Sequence, residues 1–246
     1  MESIRFGNVL LCILKQVLTA DSCIGTVYLS KVDLADAYMR LWVRMEDVPS
    51  AAFFIPNKTP SNTQLVGFHI SVPMGYIDSA PYFCMAMETV GKISNEAIYQ
   101  KEQAGKHEFY LEAEARAADD AGAPEAQADA SLGDLPTEQR SAVKANVGVH
   151  LDDFIPVVQG GSRERRQMLR HLFNQIDQVF RHNEEAETNR KEVISLKKLG
   201  QGDGAWSDQK TVLGWDLDTI AHLLRLHTRQ QDKVVAALAD IPRKHR

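Results

Sequence analysis

Three aspartates stand where carboxylates can act together. Asp33 lies at the end of a stretch rich in β-formers, TVYLSKVDL over residues 26–34. Asp152-Asp153 sits between two more β-like runs, NVGVHL and FIPVV. A carboxylate at a strand end does not belong to the core, yet the sheet fixes its position. If the two strands are neighbours, three carboxylates converge with nothing nearby to neutralise them. Such a cluster costs free energy unless cations occupy it. The hard oxygen donors suit Mg²⁺, which keeps waters and phosphate oxygens in its shell. Taken singly, the same residues have plainer roles: Asp-Asp is a common turn pair, and an aspartate at position 33 could cap a following helix.

The elements that would hold these carboxylates can be read from periodicity. Residues 1–20 carry Val9, Leu10, Ile13, Leu14, Val17 and Leu18 at helical spacing. Residues 26–34 read as one strand, with a turn or short helix starting at Ala35. Residues 51–55 and 64–72 read as two strands, joined by a loop marked by Pro56, Asn57, Pro60 and Asn62. Residues 79–90 read as a helix with Pro81 in its first turn, where a missing N–H costs little. In residues 146–151, Val147, Val149 and Leu151 alternate with Asn146, Gly148 and His150. That run and residues 154–158 form a hairpin with Asp152-Asp153 at its tip. After Gly160-Gly161, Ser162 reads as an N-cap. Met168, Leu169, Leu172, Phe173, Ile176, Val179 and Phe180 then line one face of a long helix. Arg163, Arg165, Arg166 and Arg170 lie on its other face, which reads as solvated. Residues 212–215 and 223–226 suggest a small hairpin, and residues 231–241 a last helix. No internal repeat is present. The pattern predicts an α+β fold with helices on one face of an antiparallel sheet.

Composition narrows the class. Of 246 residues, 44% are hydrophobic, enough for a packed core. Cys12, Cys23 and Cys84 are too few and too scattered for a disulfide framework or a zinc site, so the expected setting is intracellular, cytoplasm or nucleus. The apolar run at residues 8–14 is too short to span a membrane and reads as a buried helix rather than a leader. The formal charge is −5, but residues 108–138 hold nine acidic residues and one arginine, leaving +3 on the rest of the chain. That Ala-rich acidic stretch reads as a solvated insert.

The motifs, taken in order, resemble those of the reverse transcriptases, RNA-directed DNA polymerases, and most of all those of retrotransposons. Val32-Asp33-Leu34-Ala35-Asp36-Ala37-Tyr38 resembles their first catalytic motif. Val72-Pro73-Met74-Gly75-Tyr76, followed by Ser79-Ala80-Pro81-Tyr82-Phe83, resembles the second. His150-Leu151-Asp152-Asp153 resembles the third, and Lys197-Lys198 with Val212-Leu213-Gly214-Trp215 resemble the later ones. The resemblance covers roughly residues 26–92 and 146–240. It implies a polymerase palm with a ferredoxin-like sheet and a partial fingers region at about residues 41–70. The expected division is an N-terminal helical segment (1–25), palm and fingers (26–92), the insert (93–145) and the rest of the palm (146–246).

The roles implied by the resemblance are specific. Asp33 and Asp152 would bind both Mg²⁺ ions, with Asp153 supporting them and Mn²⁺ as a substitute. Tyr38 would be a steric gate beneath the incoming sugar. Pro73, Met74 and Gly75 would line the nucleotide and template side. Lys197 or Lys198 would serve the leaving pyrophosphate. Leu213, Gly214 and Trp215 would form the primer grip. Implied partners are an RNA or DNA template-primer and dNTPs, with no membrane.

The chain also departs from the family. His150 replaces the usual tyrosine of the third motif. The basic residues before Asp33 reduce to Arg5, Lys15 and Lys31, and no complete thumb follows. Both ends are therefore expected to be truncated. Two rival readings follow: an inactive retroelement remnant with at most weak nucleic-acid binding, and a nucleotide cyclase on a palm-like core. The Pro-x-Gly and Ser-Ala-Pro pattern speaks against the cyclase.

Overall fold

The computed structural model describes residues 8–56, 63–107, 109, 144–180 and 192–239. Most of the acidic stretch, Arg5 and the end of the expected C-terminal helix lie outside the described residues. In chain order the elements are α1 (Asn8–Leu18), β1 (Val27–Leu29), β2 (Val32–Asp33), β3 (Ala52–Ile55), β4 (Leu65–Phe68) and α2 (Ser79–Tyr99). There follow β5 (Ala145–His150), β6 (Asp153–Gln159), α3 (Ser162–Phe180), α4 (Leu196–Leu199), β7 (Gln209–Val212), β8 (Trp215–Asp218), β9 (Leu223–Leu226) and α5 (Thr228–Ala239). The chain is a mixed α+β protein with antiparallel sheets.

The central sheet is built on β6. β5 pairs along one side of it, and β1 and β2 pair along the other, all antiparallel. The strand expected over residues 26–34 is broken at Ser30-Lys31, and Pro156 supplies the cause. The Ser30 N–H donates to the Pro156 carbonyl at 3.0 Å, but proline has no N–H to return. Ser30 instead turns its hydroxyl to the Gly204 carbonyl at 2.8 Å.

Alternation along β6 divides the core in two. Phe154 and Val158 join Val32, Val147 and the apolar stripes of α2 and α3. Ile155 and Val157 face the other way, joining Val27 and Leu29, Ile13 and Val17 of α1, and Val212 and Leu217 of the small β7–β8–β9 sheet. The expectation of helices on one face is corrected here: α1 covers the opposite face, where its own apolar stripe shields Ile155 and Val157. Truncating the fully buried Phe154 to Ala would cost about 3–5 kcal/mol.

Two further boundaries differ from the expectation. α2 runs on to Tyr99, past the expected start of the insert at 93. Val90, Ser94 and Ala97 continue its buried stripe, and Gly91, a poor helix former, stays in the helix where Val149 of β5 lies 2.5 Å from a would-be Cβ. The cap of α3 is Gly161 rather than Ser162. Gly161 O accepts the Arg165 N–H, and Glu164 Oε2 accepts the Gly161 N–H at 3.0 Å, half of a capping box. The outer edge of β5 is closed at its middle by Asn95 of α2. Its carboxamide accepts from Val147 N at 2.6 Å and donates to Val147 O at 3.1 Å, standing in for a neighbouring strand.

Polar residues of α3 fasten the chain that follows α2. Gln167 accepts the Ala104 N–H, His171 bonds the Glu102 carbonyl, Asn174 donates to Gly105 O, and Asp177 meets His107 at 3.0 Å. The spacing 167, 171, 174, 177 is one helix face.

Candidate active site

The site forms where β2 ends against β6. Asp33 and Asp153 are direct register partners, and His150 is the partner of Asp153 on the other side. Cross-strand partners share a sheet face, so His150, Asp153 and Asp33 form one row. The row depends on a two-residue turn, Leu151-Asp152, between the paired His150 and Asp153. Leu151 has φ +54°, in the left-handed region that favours glycine or asparagine. A leucine held there is strained, and strain of this kind concentrates at functional sites.

The Asp33 side chain is fully buried. As bare carboxylate oxygens, both of its oxygens lack a hydrogen bond of ordinary geometry among the described residues. Two ammonium groups compensate. Lys198 Nζ touches Asp33 Oδ2, while Lys31 Nζ lies 3.7 Å from Asp33 Oδ1 and 3.2 Å from Asp153 Oδ2. Lys198 is delivered by α4, placed by the segment before it: Leu34 bridges Ile194, Ala35 N donates to Val193 O, and Ser195 N donates to Asp33 O at 2.9 Å. Lys31 is held through its backbone N–H, which donates to Asp203 O at 2.9 Å.

Protonation follows from this layout. Burial, a hydrogen bond with Asp33 and the Asp33 charge push Asp153 up to about 7. Burial also pushes Asp33 up, but the hydrogen bond with Asp153 and the two lysines outweigh it and leave Asp33 below its ordinary value. The pair therefore holds a proton well above the ordinary carboxylate range. Burial works to lower Lys31, but Asp153 and Asp33 prevail and hold it above its ordinary value.

The remaining candidate residues are placed as follows. Asp152 lies in the turn and is not one of the Asp33–Asp153 register partners. Burial, then Cys84, then the Asp152 charge push the Tyr38 hydroxyl up. The Tyr38 ring stacks on Phe83 with centroids 4.6 Å apart, which anchors it against the first core. Pro73, Met74 and Gly75 form a turn hung between two elements. Val72 N donates to Leu41 O at 2.8 Å, and the Ser79 hydroxyl at the start of α2 donates to Pro73 O at 2.7 Å. Gly75 has φ +90°, so the turn itself calls for glycine, and nothing in the protein lies within 4 Å of a would-be Cβ. Met74 is exposed. Of the two expected lysines, only Lys198 reaches the carboxylates, and Lys197 is exposed. Leu213-Gly214 is the turn between β7 and β8, both residues at positive φ, and Leu213 and Trp215 pack on the second core.

Sequence reasoning noted Lys31 only as one of few basic residues before Asp33. Lys31 lies two residues before Asp33, at the break that leads into β2, and its ammonium reaches both carboxylates. Lys210 was not singled out. Burial lowers it to about 8, and its ammonium donates to Ala205 O at 2.7 Å and Gly202 O at 3.3 Å, pinning the loop that carries Asp203.

Whether the residues fit Mg²⁺ turns on the donor set. Asp33 and Asp153 present hard oxygens side by side, those of Asp33 buried and met by the Lys31 and Lys198 ammonium groups. Mg²⁺ is commonly held by one or two carboxylates plus substrate phosphates and waters, so the pair fits. Among the described residues no three His, Cys, Asp or Glu side chains gather closely enough to hold an ion by themselves. No described helix is long and apolar enough to cross a membrane. Compared with known families and characterised proteins, the chain matches no family model and no characterised protein.

Proposed function

We propose that the chain is the palm of an RNA-directed DNA polymerase, which adds deoxynucleotides to a primer 3′-hydroxyl under the direction of a template. The observation that carries this reading is the Asp33–Asp153 register pair, which sets two carboxyl groups side by side with the Asp33 side chain fully buried. In the reaction the primer 3′-oxygen bonds to the α-phosphorus of a dNTP, its proton leaves, and the bond to pyrophosphate breaks. Two Mg²⁺ ions, or Mn²⁺ in their place, activate the hydroxyl and neutralise the leaving group when bound. Asp33 and Asp153 would hold them, with Asp152 supporting from the turn. Lys198 stands beside Asp33, where its ammonium can meet pyrophosphate charge. Tyr38, braced on Phe83, would be the ring that excludes a ribose 2′-hydroxyl. The Leu213-Gly214 turn, backed by the second core, would steady the primer. Positioning and charge supply most of the catalysis of phosphoryl transfer.

Primer extension on an RNA template with the four dNTPs and Mg²⁺ tests the reading. The parent should extend, and Asp33→Asn and Asp152→Asn should not. A second reading, a folded but inactive remnant, is favoured by one observation: Lys31 and Lys198 already neutralise the pair. A folded parent that extends nothing would decide for the remnant.

A further inference from the structure

Lys31 and Lys198 meet the carboxylate pair in different ways. Lys198 reaches in from a four-residue helix with its side chain 45% exposed, and touches Asp33 alone. Lys31 comes from within the sheet edge, its side chain 23% exposed, and its Nζ stands between the two carboxylates, 3.7 Å from Asp33 Oδ1 and 3.2 Å from Asp153 Oδ2. A Mg²⁺ bound by both groups would sit about 2.1 Å from an oxygen of each, in the same gap. An ammonium and a dication cannot share that space, and their charges repel across it.

We propose that Lys31 is the resident counter-ion of the Asp33–Asp153 pair, and that a divalent cation enters this site by displacing it. The inference rests on the reading of the pair as a metal site. Lys31 stabilises the fold when metal is absent, because Asp33 is a buried carboxylate that would otherwise lack compensation on its Oδ1 side. It also opposes metal binding, so the affinity of the site is set by the difference between the two cations. A lysine suits this role. Its ammonium is a point charge on a flexible stem, able to swing toward solvent, whereas an arginine fork would grip the carboxylates in two places and resist leaving.

The test uses the full chain with Mn²⁺ as the probe, read by loss of the free-ion paramagnetic resonance signal and by thermal unfolding with and without Mn²⁺. Lys31→Gln should bind Mn²⁺ roughly tenfold or more tightly than the parent. Without metal it should melt below the parent, and saturating Mn²⁺ should remove or reverse that difference. Lys31→Arg, which keeps the charge and so guards against a variant that does not fold, should bind Mn²⁺ several-fold more weakly. Asp33→Asn should abolish binding. If Asp33→Asn abolishes binding but both Lys31 variants keep the parent's affinity, Lys31 is not the competing cation and the inference is overturned. If Asp33→Asn binds Mn²⁺ as the parent does, or no variant binds it, the pair is not a metal site, and the reading beneath the inference falls with it.

Discussion

The Asp33–Asp153 pair links protonation to folding. Folded Asp153 keeps its proton to about pH 7, against an ordinary value of 3.8. Between those values the folded chain binds more protons than the unfolded one, so stability from this group is full below the unfolded value and is lost as pH rises toward 7. Asp33, held low, works in the opposite sense and loses its contribution only in acid, below its ordinary value. Metal-free protein should therefore lose on the order of 2 kcal/mol between pH 5 and 8 after allowance for partial exposure. Asp153→Asn should flatten that slope in urea titrations at several pH values. A slope unchanged in the variant would assign the proton uptake elsewhere. Leu151 makes a second prediction at this scale. A positive φ at a leucine costs about 1 kcal/mol, and asparagine tolerates it better, so Leu151→Asn should gain about 0.5–1 kcal/mol toward urea. A loss would mean that the half-buried leucine side chain contributes more than its backbone costs.

Among the elements, β6 decides the most. Its alternation divides the two cores, its first residue faces Asp33, and its Pro156 breaks the neighbouring strand. Pro156→Val would supply the missing N–H opposite Ser30. The expected gain is about 1 kcal/mol, with a slowly exchanging amide at position 156. Rapid exchange there would show that Ser30 does not accept the bond. The elements also show what the sequence could reveal. The alternation of residues 146–151 and the stripe of α3 are periodic over many residues, so the hairpin and the helix were legible. The aspartates at the hairpin tip were legible for the same reason. Which of them faces Asp33 was not, because that turns on a two-residue turn held by a leucine at positive φ. Lys31 was illegible as a site residue for a related cause: its meaning comes from the register of β2 against β6, and register is not a local property. Nor could the chain show that α1 crosses to the far face, since an apolar stripe specifies burial without naming the surface that buries it.

At the scale of the molecule, the two cores account for the central sheet, α1, α2, α3 and the β7–β9 sheet, but not for the β3–β4 hairpin. Phe53, Phe54 and Ile55 on one strand, and Leu65, Val66 and Phe68 on the other, are all exposed, Phe54 by 67%. An isolated two-stranded hairpin has little stability of its own, so these side chains contribute little to holding the fold. A large exposed apolar surface does promote association. Substituting Phe54→Ser should therefore leave the urea midpoint nearly unchanged, within about 0.5 kcal/mol, while reducing self-association in sedimentation at micromolar concentration. A loss of 2 kcal/mol or more would mean that the ring is buried in solution against a surface of this chain. That result would move the hairpin from an appendage of the fold to a part of its core, and would bring the turn at Pro73, joined to it through Val72 and Leu41, under the same constraint.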